Sequence, residues 1–354
     1  MGFDLDKLVR ENIRRLAPYS SARHEFAGKA EVFLDANENP FGSPLPQNYN
    51  RYPDPRQMAI RRTVAELNGI KPSQVFVGNG SDEAIDLLFR IFCHPGLDDV
   101  LICPPTYGMY TVAAAVNDVD VRKANLTADF ELDLDRIKNT IGKNTKIVFL
   151  CSPNNPTGNS ISRVEVLEIA DFFSGLVIVD EAYIDFSGEA SLVSQLENHL
   201  NLVVLQTFSK AWGLAGLRVG LAFANEEIIK LFDMVKPPYN VSQIAQELTL
   251  EALHSRSKVA ETASRIVRER KILADRLDRF SFVEKIYPSD ANFLLVKTHL
   301  PNAIYDFLLV EKIVVRNRSN VELCEGCLRI TVGTTEENRI LLRALEKYEK
   351  SLVH

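Results

Sequence analysis

The 354-residue chain is 46% hydrophobic and 25% charged, the balance of a folded protein with more than one core rather than of a disordered chain. Its formal net charge of −6, from 41 basic against 47 acidic side chains, leaves no basic run to neutralise nucleic-acid phosphates. Apolar runs such as Leu176-Val177-Ile178-Val179 stop far short of the roughly 20 positions that a membrane-spanning helix needs.

Residues 1–50 read as an arm. Met1 to Arg15 mixes Asp4, Asp6, Lys7, Arg10 and Glu11 with single apolar side chains, without the apolar centre of a signal peptide. Asn37, Asn39, Pro40, Gly42, Pro44 and Pro46 then read as loop. The five cysteines are an odd number scattered through the chain, so a reducing, cytoplasmic setting is expected.

From residue 51 to 238, short β-branched runs alternate with amphipathic stretches. Strands are expected at Val75–Val77, Val100–Cys103, Val119–Arg122, Ile147–Leu150, Leu176–Val179, Leu202–Gln206 and Arg218–Ala222. Helices are expected at Arg56–Leu67, at Asp82–Phe92 with Ser81 as its cap, at Val164–Phe173 and at Glu226–Val235. Near-continuous apolar strands suit burial on both faces. The expected fold is therefore α/β, a large domain with a mostly parallel seven-stranded sheet flanked by helices. Pro237-Pro238 marks its end. Residues 239–354 are expected to form a smaller α+β domain, beginning with one or two long helices from Gln243 to about Phe280. Strands should follow near Phe282–Ile286, Phe293–Val296, Ile313–Arg316 and Leu328–Thr331, with helices near Pro301–Leu309 and Glu336–Lys350.

Ligands of open α/β sheets collect at the carboxyl ends of the strands. Four of these ends carry polar motifs. Gly78-Asn79-Gly80-Ser81-Asp82-Glu83 turns tightly into a helix start, whose free N–H groups suit either an anion or an ordinary serine cap. Ser152-Pro153-Asn154-Asn155-Pro156-Thr157-Gly158 is a turn that leaves the Asn155 amide at a strand tip. Asp180, at the end of an apolar run, is costly unless it meets a positive charge, either a structural salt bridge or a cationic ring nitrogen. Thr207-Phe208-Ser209-Lys210 leads through Trp212 and a glycine-rich stretch to Arg218. A lysine in a tight, partly apolar place loses proton affinity and becomes a usable amine nucleophile. Amine, carboxylate, amide and hydroxyl–arginine donors together would suit a phosphorylated pyridine aldehyde.

These motifs are joined by Asp35-Ala36-Asn37-Glu38-Asn39-Pro40, Arg51-Tyr52-Pro53-Asp54-Pro55, Pro104-Pro105-Thr106-Tyr107-Gly108-Met109-Tyr110 and Cys327-Leu328-Arg329-Ile330-Thr331-Val332-Gly333. Together they resemble the fold-type I pyridoxal-phosphate aminotransferases, and the histidinol-phosphate aminotransferase branch in particular. The likeness spans almost the whole chain.

The resemblance implies transamination of histidinol phosphate with 2-oxoglutarate, dependent on pyridoxal 5'-phosphate, to give imidazole-acetol phosphate and glutamate. Lys210 would join the cofactor and then act as the base, Asp180 would pair with the pyridine nitrogen, and Asn155 and Tyr183 would hydrogen-bond the ring oxygen. Backbone amides of Ser81 and Asp82 would meet the phosphate together with Thr207, Ser209 and Arg218. A charge-assisted bond is worth roughly 1.5–3 kcal/mol, so Arg218 should contribute most. Tyr107 would stack on the ring, and Tyr52 would reach the phosphate of a neighbouring subunit, which implies a homodimer with shared sites. On the substrate side, Arg329 would seat a carboxylate or a phosphate ester beside Asn155. Arg316 would be a second clamp, with Tyr19 closing over it. An aromatic aminotransferase or a threonine-phosphate decarboxylase could use the same constellation.

Cys324-Glu325-Gly326-Cys327 has the gap of a metal pair, but no second pair follows and the six histidines show no ligand spacing, so no metal is expected. No Gly-x-Ser-x-Gly elbow supports a serine hydrolase.

Overall fold

The computed structural model describes residues 3–17 and 32–352. Two four-residue helices, α1 (Leu5–Leu8) and α2 (Glu11–Arg14), stand in what was expected to be pure arm. They form because Val9 and Ile13 bury themselves in the apolar cluster of Phe89 and Phe92, and because the Arg10 amide donates to the Ile91 carbonyl.

The large sheet comprises β1 (Val75–Gly78), β2 (Asp99–Ile102), β3 (Asp120–Lys123), β4 (Thr145–Cys151), β5 (Leu176–Asp180), β6 (Leu202–Thr207) and β7 (Gly220–Ala224). Its seven strands run in the order β1-β7-β6-β5-β4-β2-β3. Strands β2 to β6 pair in parallel, and β7 lies antiparallel between β1 and β6. Helices α3 (Met58–Asn68), α4 (Ser81–Phe92), α5 (Met109–Val116), α6 (Leu134–Thr140), α7 (Arg163–Phe172) and α8 (Glu226–Val235) connect or cover it. Because successive strand residues point to opposite faces, Val77, Val148, Leu150, Val177 and Val179 fill one core. Phe76, Phe149, Ile178, Val203 and Leu205 fill the other, under α4 and α8.

Three local expectations are corrected. Ser81 does not cap α4 with its side chain: Gly80 occupies the cap at φ 78, and Ser81 is the first helical residue. The last strand begins at Gly220 rather than Arg218, whose backbone sits in the left-handed region at φ 55 and cannot extend. Helix α5, which has little polar punctuation in its MYTVAAAV run, was not anticipated.

The second sheet is antiparallel, in the order β10-β11-β9-β8, from β8 (Val283–Ile286), β9 (Phe293–Thr298), β10 (Arg316–Asn317) and β11 (Cys327–Thr331). Helices α9 (Gln243–Leu253), α10 (Arg256–Leu277), α11 (Pro301–Val310) and α12 (Thr335–Ser351) accompany it. The strand expected at Ile313–Arg316 shrinks to two residues because the chain there still closes α11. Lys312 takes a positive φ of 62, and the Ile313 amide donates to Leu308. No helix of the described residues is long and apolar enough to cross a membrane.

Candidate active site

Sheet register assembles the site. Gly78 and Thr207 both pair with Gly220, so the turn into α4 and the Lys210 loop meet at one edge. A Cβ at Gly220 would lie 2.2 Å from the Ser81 nitrogen, so only glycine lets the two segments approach. Cys151 pairs with Asp180, which sets the Asn155 turn beside that carboxylate. In the small sheet Arg316 pairs with Arg329, placing two guanidinium side chains on one face.

The outcome is a cavity of about 600 Å³. Ser81, Asp82, Tyr107, Asn155, Asp180 and Tyr183 line it, as do Thr207, Ser209, Lys210, Arg218, Arg316 and Arg329. Of the remaining expected site residues, Tyr52 stacks on Tyr239, with centroids 4.4 Å apart, in a separate groove. Tyr19 lies outside the described residues.

Asp180 is 3% exposed. One oxygen accepts from the Tyr110 hydroxyl at 2.9 Å and the other from the Ala182 amide at 3.1 Å. Burial pushes its pKa up to about 6 against these two donors, and among the described residues no cation forms an ion pair with it. The structural salt bridge that could have explained this carboxylate is therefore not there. Tyr110, which sequence reasoning missed, is fully buried and stacks on Phe149 at 4.8 Å. Its signal was faint, since a tyrosine on an unrecognised helix looks like core.

Lys210 is open to the cavity, with its Nζ 5.4 Å from the centre of the Tyr183 ring. Its pKa is lowered, first by desolvation and then by the Arg329 charge. Arg218 reaches Ser209 Oγ and Asp82, each at 3.4 Å, and Asp82 also accepts from the Tyr107 hydroxyl at 3.2 Å. A Cβ at Gly80 would come within 2.8 Å of that Arg218 guanidinium, so glycine lets the turn and the arginine close on each other, and the Ser81 and Asp82 amides open the helix where no intrahelical acceptor precedes them.

The opposite wall is strongly cationic. Arg329 donates to Asn155 Oδ1 at 2.5 Å and lies 5.2 Å over the Phe293 ring. Arg318, also overlooked in the sequence, joins Arg316 and Arg329 on the cavity lining. Burial lowers the pKa of both Arg318 and Arg329, followed by the Arg316 charge for Arg318 and the Arg318 and Arg316 charges for Arg329, and among the described residues the Nε of each is buried with no hydrogen-bond partner. Three guanidinium groups that form no ion pair among the described residues make this wall suited to an anion of more than one charge. The Asn155 turn is rigid by its own bonds: Asn154 Nδ2 donates to the Pro105 carbonyl at 2.8 Å and to Thr157 Oγ1 at 2.7 Å.

A family model described as aminotransferase class I and II matches residues 30–345. The chain belongs to that family. This aminotransferase is 49% identical over 348 residues to a histidinol-phosphate aminotransferase of Cytophaga hutchinsonii, covering 98% of this chain and 100% of the relative. It is 51% identical to a protein of the same name from Parabacteroides distasonis, over 97% of this chain and 98% of the relative. The crystal structure of the histidinol-phosphate aminotransferase of Clostridium acetobutylicum superposes with a TM-score of 0.79 at 25% identity, covering 86% of this aminotransferase and 92% of that chain.

Proposed function

We propose that the cavity is the active site of a pyridoxal 5'-phosphate-dependent aminotransferase. It passes an amino group between histidinol phosphate and 2-oxoglutarate, giving imidazole-acetol phosphate and glutamate. The observation that carries this reading is an amine, Lys210, opening onto the same cavity as Asp180, a buried carboxylate that forms no ion pair among the described residues.

The residues suit the cofactor part by part. Asp180 forms no ion pair among the described residues, and a protonated ring nitrogen would supply one. Ser81, Asp82, Thr207, Ser209 and Arg218 offer backbone amides, hydroxyls and a guanidinium to a phosphate. Asn155 and Tyr183 present an amide and a hydroxyl to the ring oxygen, and Tyr107 covers a ring face. Bound there, the cofactor supplies an electrophilic aldehyde and an electron-withdrawing ring.

The chain's own residues do the rest. Lys210, whose proton affinity is lowered, would hold the cofactor through its amine and would carry the proton to and from the substrate Cα. Arg329 seats the carboxylate of glutamate or the phosphate ester of histidinol phosphate in turn, through parallel N–H bonds. Arg316 adds the second charge that a phosphate ester demands, Asn155 holds the Arg329 fork in place, and Tyr19 is assigned to closure over the ester.

In this reading residues 1–50 are an arm, 51–238 the cofactor-binding domain and 239–354 the small domain, and the protein works in the cytoplasm as a homodimer. Tyr52, turned away from its own cavity, serves the neighbouring subunit's phosphate. Purified protein assayed with histidinol phosphate, phenylalanine and O-phosphothreonine tests the substrate assignment. Transamination should be fastest with the first. Release of carbon dioxide from the third as the dominant reaction would reassign the protein to decarboxylase chemistry.

A further inference from the structure

Lys236 follows α8 and is 6% exposed, yet no carboxylate among the described residues bonds to its ammonium. The ammonium instead gathers four oxygens: the carbonyls of Pro55 at 2.7 Å, Pro238 at 3.0 Å and Pro237 at 3.3 Å, and Asn240 Oδ1 at 3.0 Å. Asp233, the carboxylate that most favours its charge, is engaged by both terminal nitrogens of Arg61. Asn240, held through its oxygen, donates its Nδ2 to the Val77 carbonyl at 3.1 Å and to Glu83 Oε2 at 2.9 Å. That same Glu83 oxygen accepts from the Asn79 amide, inside the turn that opens α4. A continuous chain of bonds thus runs from one buried ammonium to the backbone of the anion-binding turn.

We infer that Lys236 is a positioning residue for the phosphate cup: it fixes Asn240, Asn240 fixes Glu83, and Glu83 fixes the Gly78–Asp82 turn. The inference rests on the cofactor reading of that turn. An ammonium has three protons to share among four oxygens, whereas a neutral amine has two and turns a lone pair toward the oxygens. Asn240 Oδ1 also accepts from Gln57 Nε2 at 3.2 Å, so loss of the proton loosens Asn240 by removing the shorter and charged of its two donors. The group sits where that loss is reachable, because burial lowers its pKa from 10.5 to about 8. Facing it are Asp233 on α8, Arg61 on α3, Glu83 on α4 and Asp54 beside Pro55. Arg61 opposes the ammonium and the three carboxylates favour it.

The sign separates positioning from folding. Between about 8 and 10.5 the unfolded chain holds this proton and the folded chain does not, so the group's titration raises global stability as pH rises. A cup that weakens in that window is not a by-product of unfolding.

The experiment compares pyridoxamine 5'-phosphate with pyridoxamine on cofactor-free protein, since neither needs a covalent bond to bind and the difference isolates the phosphate. In the parent protein the preference for the phosphorylated ligand should fall as pH rises through about 8. Lys236→Met should lower it by about tenfold at neutral pH, the equivalent of one weakened charged hydrogen bond, and make it insensitive in that window. Lys236→Arg, which stays charged, should restore the preference at every pH. A preference in the parent that is flat through that window would overturn the role of Lys236, even if Lys236→Met proved unable to fold. So would a folded Lys236→Met that discriminates like the parent. A parent protein with no preference for the phosphorylated ligand would instead remove the cofactor reading of the cup.

Discussion

Asp180→Asn should stabilise the cofactor-free protein while crippling the loaded enzyme. Burial lifts the Asp180 pKa from 3.8 to about 6, a shift of about 2 units, which at ~1.36 kcal/mol each amounts to about 3 kcal/mol spent keeping the charge at neutral pH. An amide removes that cost but accepts only one of the two hydrogen bonds now made by Tyr110 and Ala182, which returns about 1 kcal/mol. The net gain is about 2 kcal/mol. A carboxylate whose folded pKa is raised contributes stability that is present at low pH and lost as pH rises through that pKa. The gain should therefore be full above about pH 6 and absent below about pH 4, when the parent carboxyl is protonated in both states. Denaturant unfolding of the two cofactor-free proteins near pH 7.5 and pH 4, with turnover measured in parallel, reads both effects. Turnover should fall by about 100-fold or more, the cost of losing a charge aimed at the reacting system. A variant less stable than the parent at neutral pH, or a gain of equal size at pH 4, would refute the reasoning.

Three further outcomes are expected. Lys210→Ala should abolish turnover and leave the fold intact, because its side chain opens onto the cavity rather than into a core; circular dichroism and a transaminase assay check both halves. Arg329→Ala should raise KM for histidinol phosphate and for glutamate by roughly tenfold to a hundredfold, since each loses a bidentate charged partner. An effect on neither would remove its assigned seat. Tyr110→Phe keeps the ring stacked on Phe149 but deletes one of the two donors to Asp180, so the Asp180 pKa should climb further. Cofactor affinity, measured against pH, should then require more alkaline conditions to reach its parent value.

Most of the site was legible because its residues stand at strand ends, where a run of apolar residues gives way abruptly to polar ones. Asp180 after Val179, Asn155 inside two prolines, and Lys210 between Ser209 and Trp212 announce themselves by breaking the local pattern. Tyr110 and Arg318 do not. The first sits in a short, mostly apolar helix, and the second in a loop beyond a two-residue strand, so only packing across the sheets reveals what they face. The same limit explains the misplaced start of β7. Val219 and Gly220 read as one strand with Arg218 until the left-handed backbone of Arg218 turns its side chain back toward Ser209 and Asp82. Likewise the link from Lys236 to Asn79 joins residues more than a hundred positions apart, and no spacing rule carries it.

The most direct measurement is chemical. Purified protein loaded with pyridoxal 5'-phosphate, reduced with borohydride and digested should yield one labelled peptide, with the pyridoxyl group on the side chain of Lys210. A label on Lys236 or another lysine, or none at all, would contradict the assignment of that amine.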